Sequence, residues 1–296
     1  MKNMNALAFT AASAGIFTYS IMDAIMKGLS IESGAYSAVL WRSVAGVAMT
    51  GAIFLLRRRP WPGTDALKLH ASRGIAAGLS VLLFFWGLAR VPMAQSVALT
   101  FLAPLIALYL AAVMLGESVR RVAIWGSVLA SVGVLVIAAG QAQGGASNEV
   151  VMGSIAIIIA SVLYAFSLIL LRQQAQLADP LEVTLFTSLV MGGLLLVGAP
   201  WLAVLPSVTQ LPAIGIAAAL GSVSGFALAW AYRRAETQVL ALVEYTAFIW
   251  AAILGYVVFA EQVSLFTVAG AALIIAGCLF ALRGAGAPAP QTEAAA

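Results

Sequence analysis

Charge is what this chain lacks most. Only 9% of its 296 residues are Asp, Glu, Lys or Arg, against 63% hydrophobic, and so little charge cannot clothe a water-soluble globule of that size. A single cysteine, Cys278, excludes a disulfide framework and a thiolate metal cluster. The single histidine, His70, leaves no His-Glu-x-x-His pattern, and no Gly-Lys-Ser/Thr phosphate loop occurs. No metal, cofactor or ATP site is therefore expected, and no enzyme activity. The net charge of +4 is not a nucleic-acid signature, because the cations sit at the ends of apolar blocks.

What the chain has is apolar length. Its blocks, broken by Gly, Pro, Arg and Ser, are about 20 residues long, the length an α-helix needs to cross a bilayer. Barrel strands would be about 10 residues long and alternate in polarity. The blocks predict ten spans, at roughly 6–28, 35–56, 72–89, 94–115, 121–139, 150–172, 181–202, 213–231, 237–259 and 264–282. The expected fold class is thus an all-α integral membrane protein. The first block lacks a small-residue cleavage pattern and runs to Lys27, so a retained helix is expected.

With the N-terminus inside, Lys2, Arg57, Arg58, Arg59, Lys68, Arg73, Arg120, Arg121, Arg172, Arg233, Arg234 and Arg283 fall on the cytoplasmic side, and Lys27 and Arg90 outside. That asymmetry predicts a bacterial inner (plasma) membrane protein with both termini in the cytoplasm. The loop from Arg57 to Ala71, with Trp61, Asp65, Lys68 and His70, reads as a short interfacial segment. The expected organisation is a first unit over 1–140, an outer linker over 141–149, a second unit over 150–283, and a disordered cytoplasmic tail over 284–296.

The two units repeat each other. Shifted by 144, Ser80, Trp86, Arg90, Ala107, Leu110, Glu117, Val119, Gly126, Leu129 and Gly133 fall on Ser224, Trp230, Arg234, Ala251, Leu254, Glu261, Val263, Gly270, Leu273 and Gly277. Five spans per unit is an odd number, so the second copy enters the membrane from the opposite side. The halves are expected to be related by a pseudo-two-fold axis in the membrane plane, an architecture with two exchangeable conformations.

Trp86-Gly-Leu-Ala-Arg90, then Pro104, then Leu115-Gly-Glu117 followed by Gly126 and Gly133, resembles the EamA repeat of the drug/metabolite transporter superfamily. Trp230 to Gly277, with Glu244-Tyr245-Thr246 and Phe259-Ala-Glu261, resembles the same repeat. The resemblance implies ten helices in two inverted halves around a central cavity lined by helices 1, 3, 4, 6, 8 and 9. It implies carriage of amino acids, nucleotide-like metabolites, polyamines or drugs. Phe248 stands where the first copy has Pro104, so the helix-bending proline is present in one half only.

Ionisable residues inside spans are costly, about 2.5–3.5 kcal/mol each at mid-helix on insertion scales, so they need partners or water. Asp23 and Lys27 lie one turn apart and can pair, and Arg42 on the next span can reach Asp23. The trio reads either as a structural ion pair or as a contact for a charged substrate. Glu244 reads as a cavity acid or as an internally bonded structural one. Tyr19, Phe84, Phe101, Tyr164, Trp230 and Tyr245 fall on the helices expected to line the cavity, with Ser80, Thr100, Ser222 and Ser224 as polar points. Trp86 and Trp230 also suit interfacial anchoring. Pro104 is expected to kink or hinge span 4.

GxxxG spacings in spans 3 and 8 and small residues along spans 5 and 10 suit helix packing or dimerisation, so monomer and dimer both stand. The expected function is secondary transport of a small organic metabolite by alternating access, with export of neutral or aromatic amino acids as the leading class. S-adenosylmethionine or another nucleoside-like compound is the alternative, with a membrane-embedded enzyme or a channel behind it. The partners expected are that substrate and lipid, not nucleic acid.

Overall fold

In a bilayer the main chain must satisfy its own hydrogen bonds, and this chain does so with helices. The computed structural model describes residues 2–57, 61–115, 119, 121–174, 178, 180–232 and 243–282, and no strand occurs among them. The helices are α1 Lys2–Ser33, α2 Ala35–Leu56, α3 Thr64–Leu88, α4 Met93–Thr100, α5 Ala103–Leu115, α6 Arg121–Gln143, α7 Asn148–Gln174, α8 Pro180–Leu202, α9 Leu211–Tyr232, α10 Ala247–Phe259 and α11 Leu265–Leu282. Eight stretches are long and apolar enough to span a membrane, α4 and α5 counting together as Met93–Met114; Val243–Phe259 and Leu265–Ala281 are shorter apolar helices. The molecule is an all-α membrane protein built from two inverted five-helix repeats.

The packing carries the inversion. Shifting by 144 turns span 3 into span 8 and span 1 into span 6, and the pairs α3 with α7 and α1 with α9 are both in contact. The pairs α2 with α8 and α6 with α11 each join a span to its own equivalent. At the last of these, Gly126 faces the Gly277 carbonyl and Gly133 faces the Gly270 carbonyl. The shift exchanges Gly126 with Gly270 and Gly133 with Gly277, so this contact set maps onto itself. Rising numbers on one helix meet falling numbers on the other, which makes the two antiparallel.

Spans 4 and 9 are both broken, at equivalent places. After Thr100 the main chain makes two short-range bonds, Phe101 N to Ala98 O and Leu102 N to Leu99 O, each 3.3 Å. Pro104 then has no N–H to return to Thr100, which accounts for the break. In span 9 the turn falls at Thr246, whose N bonds Val243 O at 3.0 Å before α10 begins. Residue 246 matches residue 102. Phe248 therefore does not remove the bend expected of one half only; the Thr246 hydroxyl donates to Val243 O at 2.6 Å and holds a tight turn without proline.

Two boundaries differ from expectation. The linker expected over 141–149 narrows to 144–147, since α6 runs to Gln143 and α7 starts at Asn148. The interfacial loop of 57–71 is a correction: α3 begins at Thr64, eight residues before the expected 72, and His70 and Arg73 are buried. His70 Nε2 meets Glu182 Oε1 at 3.0 Å and its Nδ1 meets Gln174. Arg73 Nη1 donates to Gln174 Oε1 at 3.1 Å and to Thr187 Oγ1 at 2.7 Å. These partners on α7 and α8 let a polar helix end stay inside the bundle. The expected tail, Glu117, Arg58, Arg59, Arg120, Arg233, Arg234 and Arg283 lie outside the described residues.

A Cβ on Gly133 would lie 2.5 Å from the Gly270 carbonyl oxygen, whereas one on Gly193 would meet nothing within 4 Å. Gly133→Leu should therefore destabilise the protein by about 1–3 kcal/mol, the usual cost of overpacking, while Gly193→Ala leaves it unchanged. Unfolding midpoints of the detergent-purified variants measure the difference.

Candidate functional site

Six spans meet around a cavity of about 150 Å³. α1 contributes Ile16, Tyr19, Ser20 and Asp23, and α3 contributes Ser80, Val81, Phe84 and Phe85. From span 4 come Val97, Thr100 and Phe101, and from α7 come Ala160, Ser161 and Tyr164. Leu228 of α9 and Glu244 and Ala247 beside the break of span 9 complete it. Spacings of three and four residues put each set on one helix face. Both helix breaks border the cavity, so its walls come from the two halves where the main chain departs from regular helix.

The lining is mostly apolar, and the hydroxyls of its serines and threonine donate to the main chain. Ser20 Oγ donates to Ile16 O at 3.0 Å, Ser161 Oγ to Ile157 O at 2.9 Å, and Thr100 Oγ1 to Val97 O at 2.7 Å. Ser80 Oγ donates across helices to Ala160 O at 2.7 Å, tying α3 to α7. A hydroxyl has one proton to give and two lone pairs to receive, so all four leave only acceptors toward the cavity. No Lys, Arg, His, Asn or Gln lines it among the described residues. Two carboxyl side chains do, Asp23 and Glu244, each more than nine-tenths buried. Asp23 Oδ1 has no hydrogen-bond partner among the described residues.

The expected site residues divide. Tyr19, Asp23, Ser80, Phe84, Thr100, Phe101, Tyr164 and Glu244 are brought together at the cavity. Tyr245 is not in its lining; it packs edge-on against Phe101 with ring centroids 5.0 Å apart. Ser224 is fully buried outside the lining, and Ser222 Oγ donates to Ala218 O at 3.0 Å. Trp230 packs against the small cluster of Ala12, Ile16, Leu228, Ala231 and Val243. Arg42 is buried, also outside the lining, with its guanidinium 5.8 Å from the ring centre of Phe85 and its charge in reach of Asp23 and Tyr19. Pro104 lies in the first turn of α5, just past the break it helps to cause.

Lys27 corrects the expected pairing with Asp23. Its ammonium makes a salt bridge to Glu261, just beyond α10, and donates to the Val91 carbonyl at 2.7 Å. The other Glu261 oxygen accepts the Met93 N–H at 2.7 Å, capping the start of α4. Glu261 thus joins three spans at this end of the bundle. Cys278 was read only for what a single cysteine excludes. Its thiol donates to the Phe101 carbonyl at 3.1 Å and fastens α11 to the broken span.

A cavity held at the meeting of two inverted repeats, beside paired helix breaks, is the architecture of a membrane transport protein. The EamA-like transporter family matches residues 6–139 and 151–283, and the chain belongs to that family. It is similar to the pseudopaline exporter CntI of Pseudomonas aeruginosa strain UCBPP-PA14, 25% identical over 270 residues that cover 89% of this chain and 91% of the relative. An uncharacterized transporter of Helicobacter pylori strain J99 is 26% identical over 274 residues, covering 89% and 91%. A solved structure titled "Crystal structure of protein" has the same fold, with a TM-score of 0.61 at 21% identity over 94% of this chain and 97% of that one.

Lys27 is almost wholly buried and Glu261 only slightly open, their side chains 4% and 17% exposed. Removing one partner of such a pair strands a buried charge, so Lys27→Ala should cost roughly 3–5 kcal/mol. Replacing both partners, as Lys27→Met with Glu261→Gln, should cost less. Denaturant unfolding of the single and double variants gives the comparison.

Proposed function

We propose that this protein is a secondary transporter that exports a small amine-bearing organic metabolite across the bacterial inner membrane by alternating access. Neutral and aromatic amino acids are the first class to test. The observation that carries the reading is the cavity itself, built from both halves and closed at one end by Lys27, Glu261 and the Met93 N–H. With both termini in the cytoplasm, as the arginine and lysine asymmetry favours, that closure lies on the outer face and the cavity belongs to a state sealed from outside. Opening outward requires the Lys27–Glu261 contact to part. A relative named as a pseudopaline exporter supports the outward direction.

The lining favours an amine with an apolar or aromatic body, since Phe84, Phe101 and Tyr164 supply ring faces and Asp23 and Glu244 supply acid groups. S-adenosylmethionine is the second class to test, since the same ring faces would stack on its adenine.

Counterflow in proteoliposomes tests the reading. Labelled phenylalanine, leucine, S-adenosylmethionine and a polyamine are each offered against an unlabelled internal pool. Saturable exchange of amino acids is expected, falling at least tenfold in Asp23→Asn and in Glu244→Gln. Flux that neither saturates nor shows counter-exchange would make the protein a channel, and inertness toward every amino acid would remove them as substrates.

A further inference from the structure

Phe101 and Tyr245 occupy the same place in the two repeats, 144 residues apart, and they touch, edge to face, with ring centroids 5.0 Å apart. A residue and its symmetry mate can meet only where the two-fold axis passes between them, so this contact marks the axis. Each stands beside a helix break. Phe101 N bonds Ala98 O at 3.3 Å, and Tyr245 precedes Thr246, whose N bonds Val243 O at 3.0 Å. Both residues are buried. The irregular backbone of span 4 and that of span 9 therefore meet at one point, and of the two rings it is Phe101 that lines the cavity.

A second tie runs beside the rings. The Cys278 thiol gives its proton to the Phe101 carbonyl at 3.1 Å, which leaves its sulfur to accept, and the Tyr245 phenol hydrogen-bonds to it. Phenol, thiol and carbonyl form a chain from span 9 through α11 to span 4. Edge-on aromatic pairs add to simple burial, and a buried polar link is costly to leave unmade. Displacing one break therefore strains the other through ring contact and hydrogen bonding together.

Symmetry also separates contacts that can outlast a change of state from those that cannot. Exchanging the conformations of the halves carries the Phe101–Tyr245 contact onto itself. The same exchange carries Lys27 of the outer closure onto Leu171, which has no charge to pair. The ring pair is common to both states; the ion pair belongs to one.

Resting on the alternating-access reading, we infer that Phe101 and Tyr245 join the two helix breaks into a single pivot on the pseudo-two-fold axis, and that Tyr245, outside the lining, is a positioning residue that sets the Phe101 wall of the cavity.

Hydrogen exchange of the full chain in lipid nanodiscs, resolved to single amides, tests this without any ligand. Tyr245→Leu keeps an apolar side chain but no ring, and should speed exchange at Phe101 and Leu102 by about fivefold or more, although the lesion lies in the other half. Tyr245→Phe, which keeps the ring contact and loses only the phenol, should retain most of the protection. Phe101→Leu should speed exchange at Thr246 in return. The amides of α8, which packs on α2 and α3, should hold their rates throughout. If Tyr245→Leu does not fold, Phe101→Leu and Tyr245→Phe carry the comparison. Loosening confined to the mutated span, equal loosening in Tyr245→Phe and Tyr245→Leu, or loosening of α8 along with the breaks each overturns the inference. In the double variant Lys27→Met with Glu261→Gln, which frees the outer closure, the break amides should keep their rates; their loosening there also overturns it. Coupled breaks without counterflow would leave the joint standing and sink the transport reading; counterflow with uncoupled breaks would do the reverse.

Discussion

An unmet main-chain N–H or C=O inside hydrocarbon costs several kcal/mol, and the rest of this structure depends on avoiding that cost. Regular helix meets it automatically. The difficulty arises where the fold needs irregular backbone beside the cavity, in spans 4 and 9. There the chain substitutes short-range bonds, Phe101 to Ala98, Leu102 to Leu99 and Thr246 to Val243, and recruits a thiol from α11. The serine and threonine hydroxyls at the cavity, Ser20, Ser80, Thr100 and Ser161, follow the same rule, each giving its proton to a carbonyl. The acceptors they leave facing the cavity are a by-product of that arrangement.

The symmetry of the backbone and the asymmetry of the side chains do different work. Paired breaks, the exchange of α3–α7 with α1–α9, and the glycine contacts between α6 and α11 all respect the two-fold relation. The cavity does not: Thr100 is matched by Glu244, and Phe101 by Tyr245. Phe101 lines the cavity while Tyr245 supports it from the side. Both carboxyl groups come from such unequal positions, so the charge of the site owes nothing to the repeat.

Much of this was legible in the sequence, and the misses share a cause. Hydropathy blocks and the 144-residue repeat are properties of local and periodic pattern, and they carried the spans and the inversion; the family resemblance, by implying which helices line the cavity, carried eight residues of its lining. Long-range polar partners leave no such trace. Lys27 has Asp23 one turn away, yet its partner is Glu261, 234 residues on. His70 looked too polar for a span because Gln174 and Glu182, which satisfy it, come from helices about a hundred residues later. The break at Thr246 was hidden for another reason: proline is a visible bender, while a threonine that bonds back on its own turn looks like any other.

The thiol of Cys278 has a practical side. It is the chain's sole cysteine, so a cysteine-free background, the usual starting point for site-directed labels, would be made at this position. That substitution would not be silent. Alanine removes the donor to the Phe101 carbonyl, and serine replaces a weak donor by a stronger one with a shorter reach. Either way the spectroscopist would be recording a protein whose broken fourth span is already held differently, and distances measured across it would describe that altered bend.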